Sequence, residues 1–166
     1  SASLWSTAAD LGVGWVAMHM TGDPRTMQSN PFYVDVLDDV RRFLDERSAL
    51  AESAGVTEVW VDPGIGFGKT TRHNLALLAG LGHLVDDGRP VLVGTSRKRF
   101  LGQMLAESDG LAAGPPVSTA EEAPLVTPVP TDDRREGSLV TAVWAMIQGA
   151  RIIRAHDIRA TVAATE

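Results

Sequence analysis

Two hydrophobic rhythms alternate along the chain: short unbroken apolar runs ended by Gly or Pro, and longer stretches with apolar residues at helical spacing. Residues 1–11 read as the end of a helix, closed by Gly12 and Gly14. The run 15–20 lies between Gly14 and the turn Thr21-Gly22-Asp23-Pro24 and predicts a buried strand. Over 32–54, Phe32, Val36, Val40, Phe43, Leu44 and Leu50 recur at helical spacing. Asp35, Asp38, Arg41, Arg42, Glu46 and Arg47 take the other faces, predicting a long amphipathic helix with a solvated outer side. Gly55 ends it. A second strand is predicted at 57–62, stopped by Pro63, and a helix at 73–84 with Leu75, Leu77, Leu78 and Leu81 on its apolar side. The turn Asp87-Gly88 leads into a third strand at 90–94 and a helix at 97–105. Between 107 and 136 the pattern fails: five of the nine prolines fall within 115–130, which predicts a disordered surface insertion. A helix at 138–148, a strand at 150–154 and a helix at 157–164 complete the order.

Strands separated by amphipathic helices predict an α/β fold of four parallel strands with right-handed crossovers. In such folds ligands sit at the carboxyl ends of the strands, so chemistry is sought there.

Composition narrows the classes. Fifteen basic against twenty-one acidic residues give a net charge of −6, which argues against a nucleic-acid partner. No cysteine is present, which removes disulfides, thiolate metal sites and cysteine nucleophiles, and points to the cytoplasm. No apolar run is long enough to span a membrane. Ser1 reads as a trimmed or internal start. A length of 166 residues is below the roughly 200 that a closed eight-fold β/α barrel needs.

Three strand exits hold candidate chemistry. The first is Asp62-Pro63-Gly64-Ile65-Gly66-Phe67-Gly68-Lys69-Thr70. Its Gly-Lys-Thr ending suggests a phosphate-cradling P-loop, but Pro63 stands where that motif needs its first Gly. The Gly64, Gly66, Gly68 spacing also departs from a dinucleotide fingerprint. A glycine-rich turn is usually only a turn. Asp62 changes that balance, because a carboxylate buried at a strand mouth is costly unless hydrogen-bonded, and a flat amidine-like ligand edge would satisfy it. The second is Gly94-Thr95-Ser96-Arg97-Lys98-Arg99, cations at a helix start immediately after an apolar strand. The third is Arg154-Ala155-His156-Asp157, where Arg154 and His156 share one face of an extended segment and suit a di-anion. At Met18-His19-Met20 core packing is the favoured reading, although a Met can floor a flat ligand. His73, His83, Trp5 and Trp144 carry no functional reading, and no Ser-His-Asp arrangement or metal-ligand spacing stands out. Together these exits describe a pocket for a small flat heterocycle carrying phosphate.

Met18-His19-Met20 with Pro24-Arg25-Thr26-Met27-Gln28, the 62–69 segment with His73-Asn74, Gly94-Thr95-Ser96-Arg97-Lys98, and Arg154-Ala155-His156-Asp157 strongly resemble dihydropteroate synthase, in that family's order. Arg99, the long insertion and Glu136-Gly137-Ser138-Leu139 look like its actinobacterial branch, including the second paralogue. The resemblance implies a transferase of folate biosynthesis on a (β/α)8 TIM barrel. It joins para-aminobenzoate to dihydropterin pyrophosphate and releases pyrophosphate with help from Mg²⁺. It implies that Asp62 holds the pterin's amino-pyrimidine edge, that Met18 lies against the pterin, and that Lys98 lies between pterin and aminobenzoate. Phe67, beside Gly66, walls the aminobenzoate pocket, and Arg97 joins the substrate-binding set. Lys98, Arg154 and His156 form the catalytic set, the last two stabilising the departing pyrophosphate. Arg99 stands where many relatives have Ser.

The family's Asn-containing loop for pyrophosphate and Mg²⁺, its Ser-Thr-Arg loop and its further pterin-binding Asp and Asn residues have no counterpart in the sequence. Residues 1–166 are therefore expected to be the carboxyl-terminal half of the barrel, with the insertion at about 107–136. Such a half is expected to be inactive alone, and to pair as a homodimer or with the missing amino-terminal half. The alternatives are a non-catalytic pterin-binding paralogue and a methyltetrahydrofolate-binding methyltransferase relative. The latter has no pyrophosphate for Arg154 and His156 to hold.

Overall fold

The structure, a computed structural model, describes residues 2–110 and 127–166. The order is α1 (Ala2–Asp10), β1 (Trp15–Met18), α2 (Val36–Ser53), β2 (Val59–Asp62), α3 (Thr71–Ala79), α4 (Leu81–Asp86), β3 (Leu92–Val93) and α5 (Arg99–Ser108). A 3-10 turn (Thr131–Arg134) then runs into α6 (Arg135–Ile147), followed by β4 (Ile152–Ile153) and α7 (Ile158–Thr165). The architecture is α/β with parallel strands. β1 pairs with β2 from Trp15↔Val59 to Met18↔Asp62, and β3 pairs with β4 at Leu92↔Ile152 and Val93↔Ile153. A parallel bridge at Val61↔Val91 joins the two pairs.

The helices cover one side of these strands. Val40, Leu44, Leu77 and Leu81 from the helices meet Val61, Val91 and Val93 from the strand segments in one buried cluster. Each fully buried side chain of this size contributes about 1.5–3 kcal/mol. On β1, Ala17 faces this core, while Val16 and Met18 on the other side are about two-fifths exposed. A second, smaller cluster packs Trp5 of α1 edge-on against Trp15, 5.8 Å between ring centroids, over Ala51, Val56 and Val59. Val140, Val143, Trp144 and Ile147 of α6 line an open apolar groove of about 380 Å³ with Ala164 of α7.

Several boundaries differ from the sequence pattern, each for a local reason. The helix expected over 32–54 begins at Val36, because the Asp35 carboxylate accepts hydrogen bonds from the Leu37 and Asp38 amides and caps it. Phe32 and Val34 lie outside it and are exposed. The helix expected at 73–84 is two helices that meet at Gly80, where a Cβ would come within 2.7 Å of Leu37 Cδ2 on α2. The helix expected at 97–105 starts at Arg99, since Arg97 is in the left-handed region at φ +58°.

The disordered insertion expected over 107–136 is corrected at both ends. Residues 107 and 108 close α5, and 131–136 form the 3-10 turn and the start of α6. Arg134 holds this return by donating to the carbonyls of Val129 and Arg97, while Val129 N donates to Gly102 O. Residues 111–126 of that expected insertion lie outside the described residues.

Candidate active site

The parallel register brings the β1 and β2 exits side by side, so Met18 pairs with Asp62 and His19 N donates to Asp62 O at 3.0 Å. Pro63 stops β2. Three glycines at positive φ, Gly64, Gly66 and Gly68, then fold the chain back across the strand mouth. All three also meet close neighbours, Gly68 through the Thr21 carbonyl oxygen, 2.8 Å from where a Cβ would stand. A Cβ on Gly64 would overlap the His19 carbonyl oxygen, and one on Gly66 would come within 2.8 Å of Lys98 Cδ. The turn is pinned from three directions: Asn74 Oδ1 accepts from Gly66 N at 2.7 Å, Gln28 Nε2 donates to Gly66 O at 2.7 Å, and Tyr33 OH donates to Gly68 O at 2.8 Å.

Asp62 is buried at this mouth and its carboxylate accepts from Gly64 N at 2.7 Å. Burial pushes its pKa up, opposed by that amide and by the charges of Lys98, Arg154 and Lys69. Lys98, next to the first turn of α5, crosses over to this turn and donates to Ile65 O. Its ammonium lies 4.2 Å above the Phe67 ring centroid. Burial lowers the Lys98 pKa to about 8, with Asp62 pulling it up and Arg154 pressing it down. Arg154 leans over Gly94, where a Cβ would meet Nη2 at 2.9 Å. His156 is exposed; its backbone N donates to Ser96 Oγ at 3.1 Å, and its ring Nδ1 lies 3.0 Å from the same hydroxyl.

Asp62, Gly66, Phe67 and Lys98 thus form one surface, with Met18 beside Asp62 and Arg154 near enough to act on both charges. The guanidinium of Arg97, also expected at the substrate, forms a two-pronged pair with Asp157 at 2.7 and 3.1 Å and reaches Asp132 at 3.2 Å. Its backbone is held as well, N donating to Ser138 Oγ and O accepting from Arg134. That fourfold restraint holds a non-glycine residue at φ +58° immediately before Lys98.

Sequence reasoning passed over His19, Gln28, Tyr33, Lys69 and Asn74 as site-forming groups. His19 lay in a run that reads as packing, and Lys69 in a motif whose P-loop spacing fails. The one local signal was the glycine run itself, since an amide-lined turn at a strand exit needs side chains to hold it.

Residues 2–156 match the family described as pterin binding enzyme. The chain belongs to that family. Dihydropteroate synthase of Escherichia coli (strain K12) is 41% identical over 159 residues, covering 95% of this chain and 49% of that protein. Dihydropteroate synthase of Mycobacterium leprae (strain TN) is 41% identical over 158 residues, covering 93% of this chain and 50% of that protein. The chain therefore spans about half the length of these curated relatives. Dihydropteroate synthase of Thermus thermophilus in complex with 6HMPPP superposes with a TM-score of 0.82 at 38% identity, covering 99% of this chain and 58% of that one. The same enzyme's complex with 4-aminobenzoate gives 0.81 at 38%, covering 99% and 56%.

Mg²⁺ takes oxygen ligands, usually carboxylates with water or phosphate. Among the described residues no group of three His, Cys, Asp or Glu side chains lies together. The mouth sets ammonium and guanidinium groups around one carboxylate that is already bonded to Gly64 N. This donor set does not fit the ion.

Proposed function

We propose that the chain is part of a dihydropteroate synthase, forming the carboxyl-terminal half of a (β/α)8 barrel that joins para-aminobenzoate to dihydropterin pyrophosphate. The 41% identity across nearly all of the chain to one half of such enzymes supports this. So does the pairing of neighbouring strands in chain order, β1 to β2 and β3 to β4, with β1 and β4 each paired on one side among the described residues. The observation that carries the site is the buried Asp62 facing Lys98 and Arg154 across a wall of backbone amides and carbonyls.

In this reading the Asp62 carboxylate accepts two N–H groups from the pterin's amino-pyrimidine edge, which replaces the solvent lost on burial. Met18 lies against the ring, and Gly66 leaves room for it beside the Lys98 stem. Lys98, with a pKa near 8, is a cation in most molecules at neutral pH; it would donate to the pterin carbonyl from above Phe67. Phe67 then walls the aminobenzoate. A C–N bond forms from the aminobenzoate amine as the C–O bond to pyrophosphate breaks. Arg154 and His156 take the charge that accumulates on the leaving group, an electrostatic role rather than proton transfer. Arg97 contributes by holding Lys98 and the Asp157 end of the β4 exit. Any Mg²⁺ would be held by groups other than the described residues of this chain.

Calorimetry with 6-hydroxymethylpterin tests the site. Asp62→Asn should weaken binding by about 10- to 100-fold, the effect of losing a hydrogen-bonded buried charge of roughly 1.5–3 kcal/mol. Unchanged affinity would remove Asp62 from the ligand. Turnover after the chain is combined with a polypeptide supplying the remaining strands separates an enzyme from a non-catalytic pterin-binding paralogue.

A further inference from the structure

Lys69 is the buried cation that the proposed reaction leaves without a role. It is 3% exposed, far from the ordinary condition of a lysine, and sits behind the glycine turn rather than at its open face. Its ammonium has three donors and three acceptors surround it: His19 Nδ1 at 2.9 Å, Phe67 O at 3.1 Å and Gly64 O at 3.1 Å. These acceptors come from both halves of the site, the β1 exit and the turn after β2. Removing an ammonium from water costs several kcal/mol, so a lysine here is retained only where its hydrogen bonds do something that an apolar residue would not.

We propose that Lys69 is the positioning residue of the pterin site: its ammonium ties the 64–67 turn to His19, which sets Asp62, Gly66 and Phe67 in the arrangement that Lys98 completes. The proposal rests on the pterin reading of Asp62, but its geometry does not. The amide of Gly64 bonds the Asp62 carboxylate, and the carbonyl of the same residue bonds Lys69, so the position of that one residue links anchor and ligand group. Phe67 links them again, its carbonyl held by Lys69 and its ring lying under Lys98.

The link is sensitive to protons. Burial brings Lys69 down to about pH 7 for half-titration, with Asp62 raising it and Lys98 lowering it. The other groups facing it are His19, held neutral down to about pH 4; the Tyr33 ring, 5.8 Å away; and His73 of α3, whose pKa Lys69 helps to lower. The protonated form donates to all three, and the neutral amine can donate to the two carbonyls while accepting from the Nδ1–H tautomer of His19. Because burial lowers this pKa from 10.5, a solvated, open turn holds the lysine proton more tightly than the closed one, so the closed turn is favoured increasingly as pH rises through 7.

Two measurements on the full 166-residue chain decide the matter. In the first, amide hydrogen exchange corrected for intrinsic rate follows Gly64, Gly66 and Phe67 between pH 6 and pH 8. Protection should rise about tenfold in the wild type across this interval, since the open turn loses its preference for the lysine proton. In Lys69→Met, with its folded state checked by circular dichroism, protection should be low and independent of pH. Wild-type protection that is flat with pH, or retained in Lys69→Met, overturns the proposal without any ligand. In the second, binding of 6-hydroxymethylpterin, followed over the same pH range, should be at least tenfold weaker in Lys69→Met than in the wild type. Equal affinity in the two proteins likewise overturns it. If the wild type binds no pterin but the exchange result holds, the pterin reading falls and Lys69 remains the anchor of the turn.

Discussion

Gly64 stands at φ +65° with its Cα against the His19 carbonyl, so it is fixed twice, by backbone sign and by space. Gly64→Ala should cost more than about 2 kcal/mol in urea unfolding, because both the left-handed conformation and the overlap must be relieved. A cost below half of that would mean that the turn yields freely. His19 gives a pH prediction. Burial and the neighbouring Lys69 lower its pKa from 6.5 to about 4, so the unfolded chain takes up the proton first as pH falls. Stability contributed by neutral His19 is complete above pH 6.5 and is lost as pH drops from 6.5 to about 4. His73, also lowered, adds in the same sense, whereas Asp62, raised by burial, opposes it. The paired carboxylates Asp87 and Asp157, both lowered, act only below their ordinary value of 3.8. Thermal melts from pH 7 to pH 4 should therefore show a falling midpoint in the wild type and a flatter profile in His19→Asn. The burial of Asp62 at a strand mouth was legible in the sequence, because it closes an apolar run directly before Pro-Gly. The His19–Lys69 contact was not, because it joins residues 50 positions apart through the β1–β2 register.

At the scale of elements, the helices were set by apolar spacing and their ends by single side chains. Asp35 caps α2 through two amides, and Asp35→Ala should cost about 1 kcal/mol by chemical denaturation. Thr70 and His73 form a reciprocal box on α3, Thr70 Oγ1 accepting from His73 N while Thr70 N donates to His73 Nδ1. His73 thus has the structural place that its isolated position in the sequence suggested. Strand lengths were less legible. Apolar runs at 90–94 and 150–154 reduce to Leu92–Val93 and Ile152–Ile153, since backbone pairing rather than hydrophobicity defines a strand. The break at Gly80 was hidden for the same kind of reason: the leucine periodicity continues across it, and only contact with Leu37 on α2 distinguishes two helices from one. The partner of Arg97 was hidden likewise, since nothing local announces that its guanidinium pairs with Asp157, 60 positions away.

At the scale of the molecule, two parallel pairs joined by one bridge, with apolar residues half-exposed on the face away from the helices, make a wall rather than an enclosure. The proposed reaction needs a second wall. With both substrates and Mg²⁺ present, the 166-residue chain alone should form no measurable dihydropteroate, and robust turnover would refute the half-barrel proposal. Association should appear as a concentration-dependent increase in sedimentation coefficient, from pairing with a second copy or with a polypeptide supplying the remaining strands. No helix among the described residues is long and apolar enough to cross a membrane. The sequence by itself determined the alternation of strands and helices, the gathering of polar motifs at the strand exits, and the four motifs that resemble one family. Those are local properties, written in spacing and residue type. Tertiary structure alone decided that Lys69 turns inward to His19, that Lys98 crosses to Asp62 and Phe67, and that Arg97 pairs with Asp157. Each of these depends on which strand lies beside which, and for a side chain with several partners within its reach, only the packed backbone selects among them.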